Sequence, residues 1–283
     1  MDSKKITFVY IVGGGDEHYS NLKTSIDSIT DLLGETNFLV LDLNNKFPVD
    51  YPNVKILESK DNLDLSQKKV GFQFWRQKYV AVLEAETEYV VYVDTDTALA
   101  NNRFEELFEE IGEGVGAAKH FYVPTLRDFF EKAVPSENKD FFHELFLTFN
   151  ADINSNFYAG GVFLYKNSDK NRELISKVLE SYDSVYKDSD GNYKEYIRGI
   201  TDEVFLSAIA EKEIVDLGGR LNHCSMGPEH MELEVTDGTL KGKNPFEEEM
   251  KDVIFLHADP HRRDPSEHYE EPTKTKIKEL FRL

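Results

Sequence analysis

Asp94 and Asp96 flank Thr95 immediately after the apolar run Tyr89–Val93, in the stretch YVVYVDTDTAL. Two carboxylates at this spacing can approach one hard cation together and leave coordination positions for phosphate oxygens. Such a cation offsets the charge of a departing diphosphate as a Lewis acid. An Asp-x-Asp triplet also arises by chance in an acidic chain, as two exposed loop aspartates. Its position separates the two cases, because ligands of open α/β sheets sit outside the carboxyl ends of strands. Other chemistry-bearing residues stand at element ends as well. Gly13, Gly14 and Gly15 follow the run Ile6–Val12, where small residues allow close backbone approach, although they do not form a GxGxxG fingerprint. Asp202 and Glu203 open an apolar helical run, a place where the helix dipole alone favours acids. His257 ends an apolar run and is followed by the basic cluster His261, Arg262 and Arg263.

The elements that must position these residues follow from periodicity. Leu22, Ile26, Ile29, Leu32 and Leu33 recur at helical spacing until Gly34, and residues 37–43 and 54–57 read as strands. Strand, helix, strand in that order argues for parallel pairing. A helix over residues 73–86, with Trp75, Tyr79, Val82 and Leu83 on its buried face, leads into the strand before Asp94. Residues 104–111 read as helix and 115–118 as strand. The aromatic, charged stretch 121–156 is either an acceptor-side wall or lid or a helical insertion packed for stability. A strand at 161–165, helices at 174–186 and 202–210, and a strand at 253–256 complete the pattern.

Bulk properties bound the answer. The chain has 283 residues and a formal charge of -20, with 33 Lys and Arg against 53 Asp and Glu. Such a field repels polyanions, so nucleic acid and anionic membranes are excluded as first partners. A bound cation can invert it locally and admit a small phosphorylated ligand. One cysteine, Cys224, excludes an intrachain disulfide and a multi-cysteine zinc site. The apolar start before Gly13 is too short for a signal peptide or a membrane span, and no transmembrane segment is expected elsewhere. The expected location is the cytoplasm, or a membrane surface that the chain does not enter.

The run FWRQKYVAVLEAETEYVVYVDTDTAL resembles the segment of retaining family 8 glycosyltransferases, the glycogenin and bacterial lipooligosaccharide galactosyltransferase type, in which an arginine-bearing helix leads into a strand and the Asp-x-Asp. YIVGGGDEHYSNLKTSIDSI is similar to that family's first strand, nucleotide loop and helix. NSNFYAGGVFLYKNS resembles its strand beneath the donor sugar, and IFLHADPHRRD its final strand with a metal-binding histidine. FYAGGVF and TDEVFL also resemble family 6, the blood-group A and B transferase type.

The resemblance implies a single α/β domain of the GT-A (Rossmann-like) fold, with a mostly parallel central sheet flanked by helices. Residues 1–120 would be the nucleotide-binding half, and residues 121–283 the acceptor and donor-sugar half, carrying the C-terminal metal-ligand strand. It implies transfer of a hexose from a UDP-sugar to a saccharide or other hydroxyl acceptor, with retention, dependent on Mn2+ or Mg2+. Asp94, Asp96 and His257 would be the metal ligands. Val12, Gly13, Gly14, Tyr19, Arg76, Thr95, Ala159, Gly160 and Gly161 would join the acidic pair in holding the donor. The family's glycine and Lys-Pro after the histidine are absent, and Arg262 or Arg263 would replace the diphosphate-binding lysine. Asp202 would bond sugar hydroxyls, and Glu203 would stabilise an oxocarbenium-like centre or attack it from beneath.

Two other classes compete. Asp94-Thr95-Asp96-Thr97 fits the DxDxT signature of haloacid-dehalogenase-type phosphohydrolases, but that site belongs near the N-terminus and needs a later acidic strand end. A non-catalytic nucleotide-sugar or glycan-binding module would share the donor residues and lack turnover.

Overall fold

The computed structural model describes residues 2–48, 50–59, 71–191, 201–224, 232–236 and 239–257. Strand β1 (Ile6–Val12) is buried on both faces, as an all-apolar strand in the middle of a layered sheet must be. Phe8, Tyr10 and Val12 pack in one hydrophobic cluster, and Val9 and Ile11 in another. Helix α1 (Asp16–Leu33) lays Leu22, Ile26 and Ile29 on the first of these clusters. Its apolar stripe passes through Leu33, which leaves Leu32, expected in the stripe, 41% exposed. The helix stops at Gly34, whose φ of 73° a side-chain-bearing residue rarely adopts.

The chain continues through β2 (Asn37–Asp42), β3 (Val54–Glu58), α2 (Gly71–Leu83), β4 (Tyr89–Val93), β5 (Thr97–Leu99), α3 (Glu105–Ile111) and β6 (Val115–Lys119). Next come α4 (Leu126–Lys132), α5 (Lys139–Thr148), β7 (Tyr158–Lys166), α6 (Asp169–Tyr186) and α7 (Asp202–Ala210). Short strands follow: β8 (Ile214–Asp216), β9 (His223–Cys224), β10 (Glu232–Thr236), β11 (Thr239–Lys243), β12 (Lys251–Asp252) and β13 (Phe255–His257).

Seven strands form the central sheet in the order β3-β2-β1-β4-β7-β6-β8. Strands β1, β2, β3 and β4 pair in parallel, as the sequence predicts, while β7 runs antiparallel to β4 and β6. The result is an α/β domain with a mostly parallel sheet flanked by helices. The strand order reverses at β1, whose neighbours β2 and β4 leave it in opposite directions, and ligands bind at such a switch point. Gly13 follows β1 and Asp94 follows β4 at this place.

The stretch 121–156 forms α4 and α5, which bury Phe129, Phe142 and Phe146. Phe129 stacks on Phe157 with centroids 4.7 Å apart, so these helices are packed onto the core. Outside the main sheet, β13 pairs antiparallel with β5 and parallel with β9, bringing the end of the described chain beside the acidic pair. No helix among the described residues is long and apolar enough to cross a membrane.

Candidate functional site

Asp94 is fixed by the sheet itself. Its N–H donates to the carbonyl of Gly161 on β7 at 2.8 Å, and the Tyr92 hydroxyl donates to its Oδ1 at 2.6 Å. Asp96 immediately precedes β5, and the β5–β13 pairing sets His257 opposite Thr97. His257 Nε2 then lies 3.1 Å from Asp96 Oδ1, and Asn222 Oδ1 lies 3.1 Å from Nδ1, on the far side of the ring. One ligand atom each from Asp94, Asp96 and His257 fall within 4.8 Å of one another. Two carboxylates and an imidazole are a donor set that suits Mn2+ or Mg2+, and Asn222 is placed to orient the imidazole.

Charge at this cluster is unbalanced. Burial holds the Asp94 carboxyl above its usual range despite nearby Lys78 and His257. Burial opposes ionisation of Asp96 too, but the hydrogen bond and charge of His257 outweigh it and hold that carboxyl low. The imidazole of His257 is disfavoured as a cation by burial, yet Asp96 and then Asp94 raise its pKa. A metal ion bound here competes with that imidazole proton.

The second layer comes from α2. Lys78 has a side chain only 5% exposed, with Nζ 3.2 Å from Asp94 Oδ1 and 2.9 Å from Asp202 Oδ2. It donates to the Gly160 carbonyl at 3.2 Å and lies 4.9 Å from the Tyr92 ring centroid. The contact to Asp202 Oδ2 is ionic, without hydrogen-bond alignment. Burial works against the ammonium, but the charges of Asp202 and Asp94 more than compensate and keep it protonated. Lys78 was missed by sequence reasoning. Its signal was its place inside the stripe Trp75, Tyr79, Val82: a charge on a buried face needs partners.

Arg76, expected to contact the donor, is turned away from the acidic pair. Two residues before Lys78 is about 200° around the helix, and there Arg76 grips Asp183 of α6 through Nε at 2.5 Å and Nη2 at 2.8 Å.

Gly160 and Gly161 explain the FYAGG run. A Cβ on Gly160 would collide with the carboxylate of Asp202, and one on Gly161 would stand 2.5 Å from Cε1 of His257. The β6–β7 register shifts here, between Ala117 paired with Phe163 and Ala118 paired with Ala159. The start of α7 lies against this part of β7. Its Glu203 Oε1 accepts the Gly160 N–H at 3.1 Å, and the Thr201 hydroxyl donates to Oε2 at 3.3 Å. Burial, and then the neighbouring Asp202, push the Glu203 pKa up to about 7.

At the β1 end, Gly14 adopts φ 98° and its N–H donates to Asn44 Oδ1 at 2.6 Å. Tyr19, expected among the residues that hold the donor, is 7% exposed, and its hydroxyl donates to the buried Asp42 at 2.6 Å. Asp42 also accepts the N–H groups of Asn44 and Phe47, so Tyr19 and Asp42 brace the loop from behind. A cavity of about 350 Å³ is lined by Val12, Gly13 and His18, by Phe74, Trp75 and Lys78, and by the run Asp94, Thr95, Asp96. Trp75, expected only in the core, is half-buried and borders this space. The structure thus places Val12, Gly13, Asp94, Thr95 and Asp96 on this cavity, and sets Gly160, Gly161, Asp202, Glu203 and His257 in contact with one another beside the acidic pair, with Ala159 preceding the glycines within β7. Arg262 and Arg263 lie outside the described residues.

No known protein family and no curated protein matches this chain in sequence. Among solved structures, galactosyltransferase LgtC, determined with donor and acceptor sugar analogues, matches 97% of this chain and 95% of its own at a TM-score of 0.54 and 14% identity. The bifunctional glycosyltransferase WbbM matches 92% of this chain and 45% of its own, at a TM-score of 0.50 and 12% identity. The chain therefore has the GT-A fold of these glycosyltransferases.

Proposed function

We propose that this protein is a metal-dependent glycosyltransferase that moves a hexose from a UDP-sugar to a saccharide or other hydroxyl acceptor, with retention at the anomeric carbon. The observation that carries the reading is the convergence of Asp94, Asp96 and His257 at the switch point of a GT-A sheet, with Asp202 and Glu203 admitted beside them by Gly160 and Gly161.

Each residue then has a task. Asp94, Asp96 and His257 would hold Mn2+ or Mg2+, which supplies Lewis-acid neutralisation of the diphosphate. Lys78 adds a fixed ammonium between the diphosphate side and the sugar side. Gly160 and Gly161 floor the sugar pocket, and Asp202 accepts hydrogen bonds from sugar hydroxyls. Glu203, as a carboxylate beneath the anomeric carbon, stabilises positive charge there when the bond to the phosphate oxygen breaks. The acceptor oxygen bonds to that carbon, and its proton leaves with the diphosphate. Carboxylates that face developing charge without reorganising are the largest catalytic resource of such sites.

Calorimetry with UDP-hexoses, with and without Mn2+, tests the reading. Binding only with Mn2+, and product formation that disappears in Asp96→Ala, are expected. Absence of binding to any nucleotide sugar in Mn2+ would sink the proposal, whereas tight binding without hydrolysis or transfer would make the chain a binding module.

A further inference from the structure

Two groups of residues of different chemistry flank the acidic pair as arms of the site. One is the packed group around Gly160 and Gly161, where Asp202 and Glu203 supply two carboxylates. The other is the cavity of about 350 Å³, walled by Val12, Gly13 and His18 on one side and by Phe74 and Trp75 of α2 on the other. No acidic residue apart from Asp94 and Asp96 lines it among the described residues.

We propose that Trp75, with Phe74 beside it, is the stacking surface for the nucleobase of the donor. This rests on the nucleotide-sugar reading and adds the residue that binds the end remote from the chemistry. A sugar nucleotide has a hydroxyl-rich end, an anionic middle and a flat aromatic end. The carboxylate arm suits the first, the acidic pair with its cation and Lys78 suit the second, and only the aromatic arm suits the third. Trp75 and Lys78 stand one helical turn apart, so ring and ammonium project from one side of α2. Trp75 also packs against the core, which holds the indole in place before a ligand arrives. Trp75 and Phe74 are both partly buried and both line the cavity, so each ring borders the space a ligand would fill. Gly13, also on the lining, presents backbone alone. Tyr19 is 7% exposed and is not among the residues that line this cavity.

Trp75 is the single tryptophan of the chain, so its fluorescence reports this arm directly. UDP titrated in saturating Mn2+ is expected to quench it, while inorganic pyrophosphate in Mn2+ binds calorimetrically with little quenching. Trp75→Ala should weaken UDP about ten- to a hundredfold, the usual loss of one base–aromatic stack. It should leave pyrophosphate affinity within about twofold, and Trp75→Phe should keep most of the UDP affinity. If UDP binds without quenching and Trp75→Ala binds it normally, or if UDP and pyrophosphate weaken equally, the stacking assignment is wrong while the nucleotide-sugar reading survives. Quenching by UDP-sugars but not by UDP would assign the ring to the sugar and overturn it as well. A wild-type protein that binds no UDP overturns both.

Discussion

Removing the buried ammonium at the centre of the site tests how its charges are arranged. Lys78→Met keeps roughly the length of the side chain and deletes the cation that lies 3.2 Å from Asp94 and 2.9 Å from Asp202. Two carboxylates then share a buried space without the lysine between them. Breaking a buried pair by removing one partner costs about 3–5 kcal/mol. For a domain of this size about 1 kcal/mol moves Tm by roughly 2–4 °C, so the variant should melt about 6–20 °C lower. Asp94, whose carboxyl burial already holds above its usual range, can relieve the strain by taking a proton, so the deficit should be smaller at pH 5 than at pH 8. Thermal unfolding in EDTA, followed by circular dichroism, measures this. Adding Asp202→Asn to Lys78→Met should recover at least about 1 kcal/mol relative to additivity, because the residues share one network. Saturating Mn2+ should raise the variant's Tm more than the wild type's. A Tm within 2 °C of wild type at pH 8, or strictly additive effects in the double variant, would refute the arrangement.

Glu203 predicts a pH profile. Its folded pKa of about 7 stands above the ordinary 4.5, so the carboxyl's contribution is fully present below about pH 4.5 and is lost as pH rises through 7. At about 1.36 kcal/mol per pKa unit the loss is at most about 3 kcal/mol. Metal-free Glu203→Gln should therefore show a flatter stability-versus-pH curve than wild type between pH 5 and 8, and parallel curves would remove the burial argument. Gly161→Ala puts a methyl 2.5 Å from His257 Cε1 and 2.7 Å from Nδ1, so the ring must move. Mn2+ affinity by calorimetry should fall about tenfold or more, the size of effect seen when the orientation of a metal ligand is disturbed; unchanged affinity would free His257 from the site. Arg76→Ala removes the pair with Asp183 and should cost about 1.5–3 kcal/mol of stability while UDP-sugar affinity stays within about twofold. A tenfold affinity loss would return Arg76 to the donor.

Much of this architecture was legible because its signals are local. Ile6–Val12 and Tyr89–Val93 are unbroken apolar runs, and Gly34 marks the end of α1, so the first parallel strands and the position of Asp94 followed from pattern alone. The stretch 121–156 resisted assignment because its phenylalanines at 129, 130, 141, 142, 146 and 149 show no single clean period. Two short helices divide them, and a short amphipathic segment carries too few turns to reveal its phase. His257 was placed beside the acidic pair by the resemblance and not by any local pattern. Its contact with Asp96 depends on β13 pairing with β5, two three-residue strands far apart in the chain, and nothing in either one specifies the other.

Lys78, two residues after Arg76, shows where reading by motif reaches its limit. The resemblance carried the arginine over by sequence register, and register is blind to rotation about a helix axis. The apolar stripe contains that rotation, since Tyr79 and Val82 are fully buried and the face they share includes position 78. A lysine there can stay charged only beside carboxylates, and in this chain the carboxylates it meets are Asp94 and Asp202. With Asp96 and Glu203 also present, Lys78 and His257 face four acids. On the proposed reading, this local excess of acid is itself a reason, independent of any resemblance, for a divalent cation to precede the diphosphate.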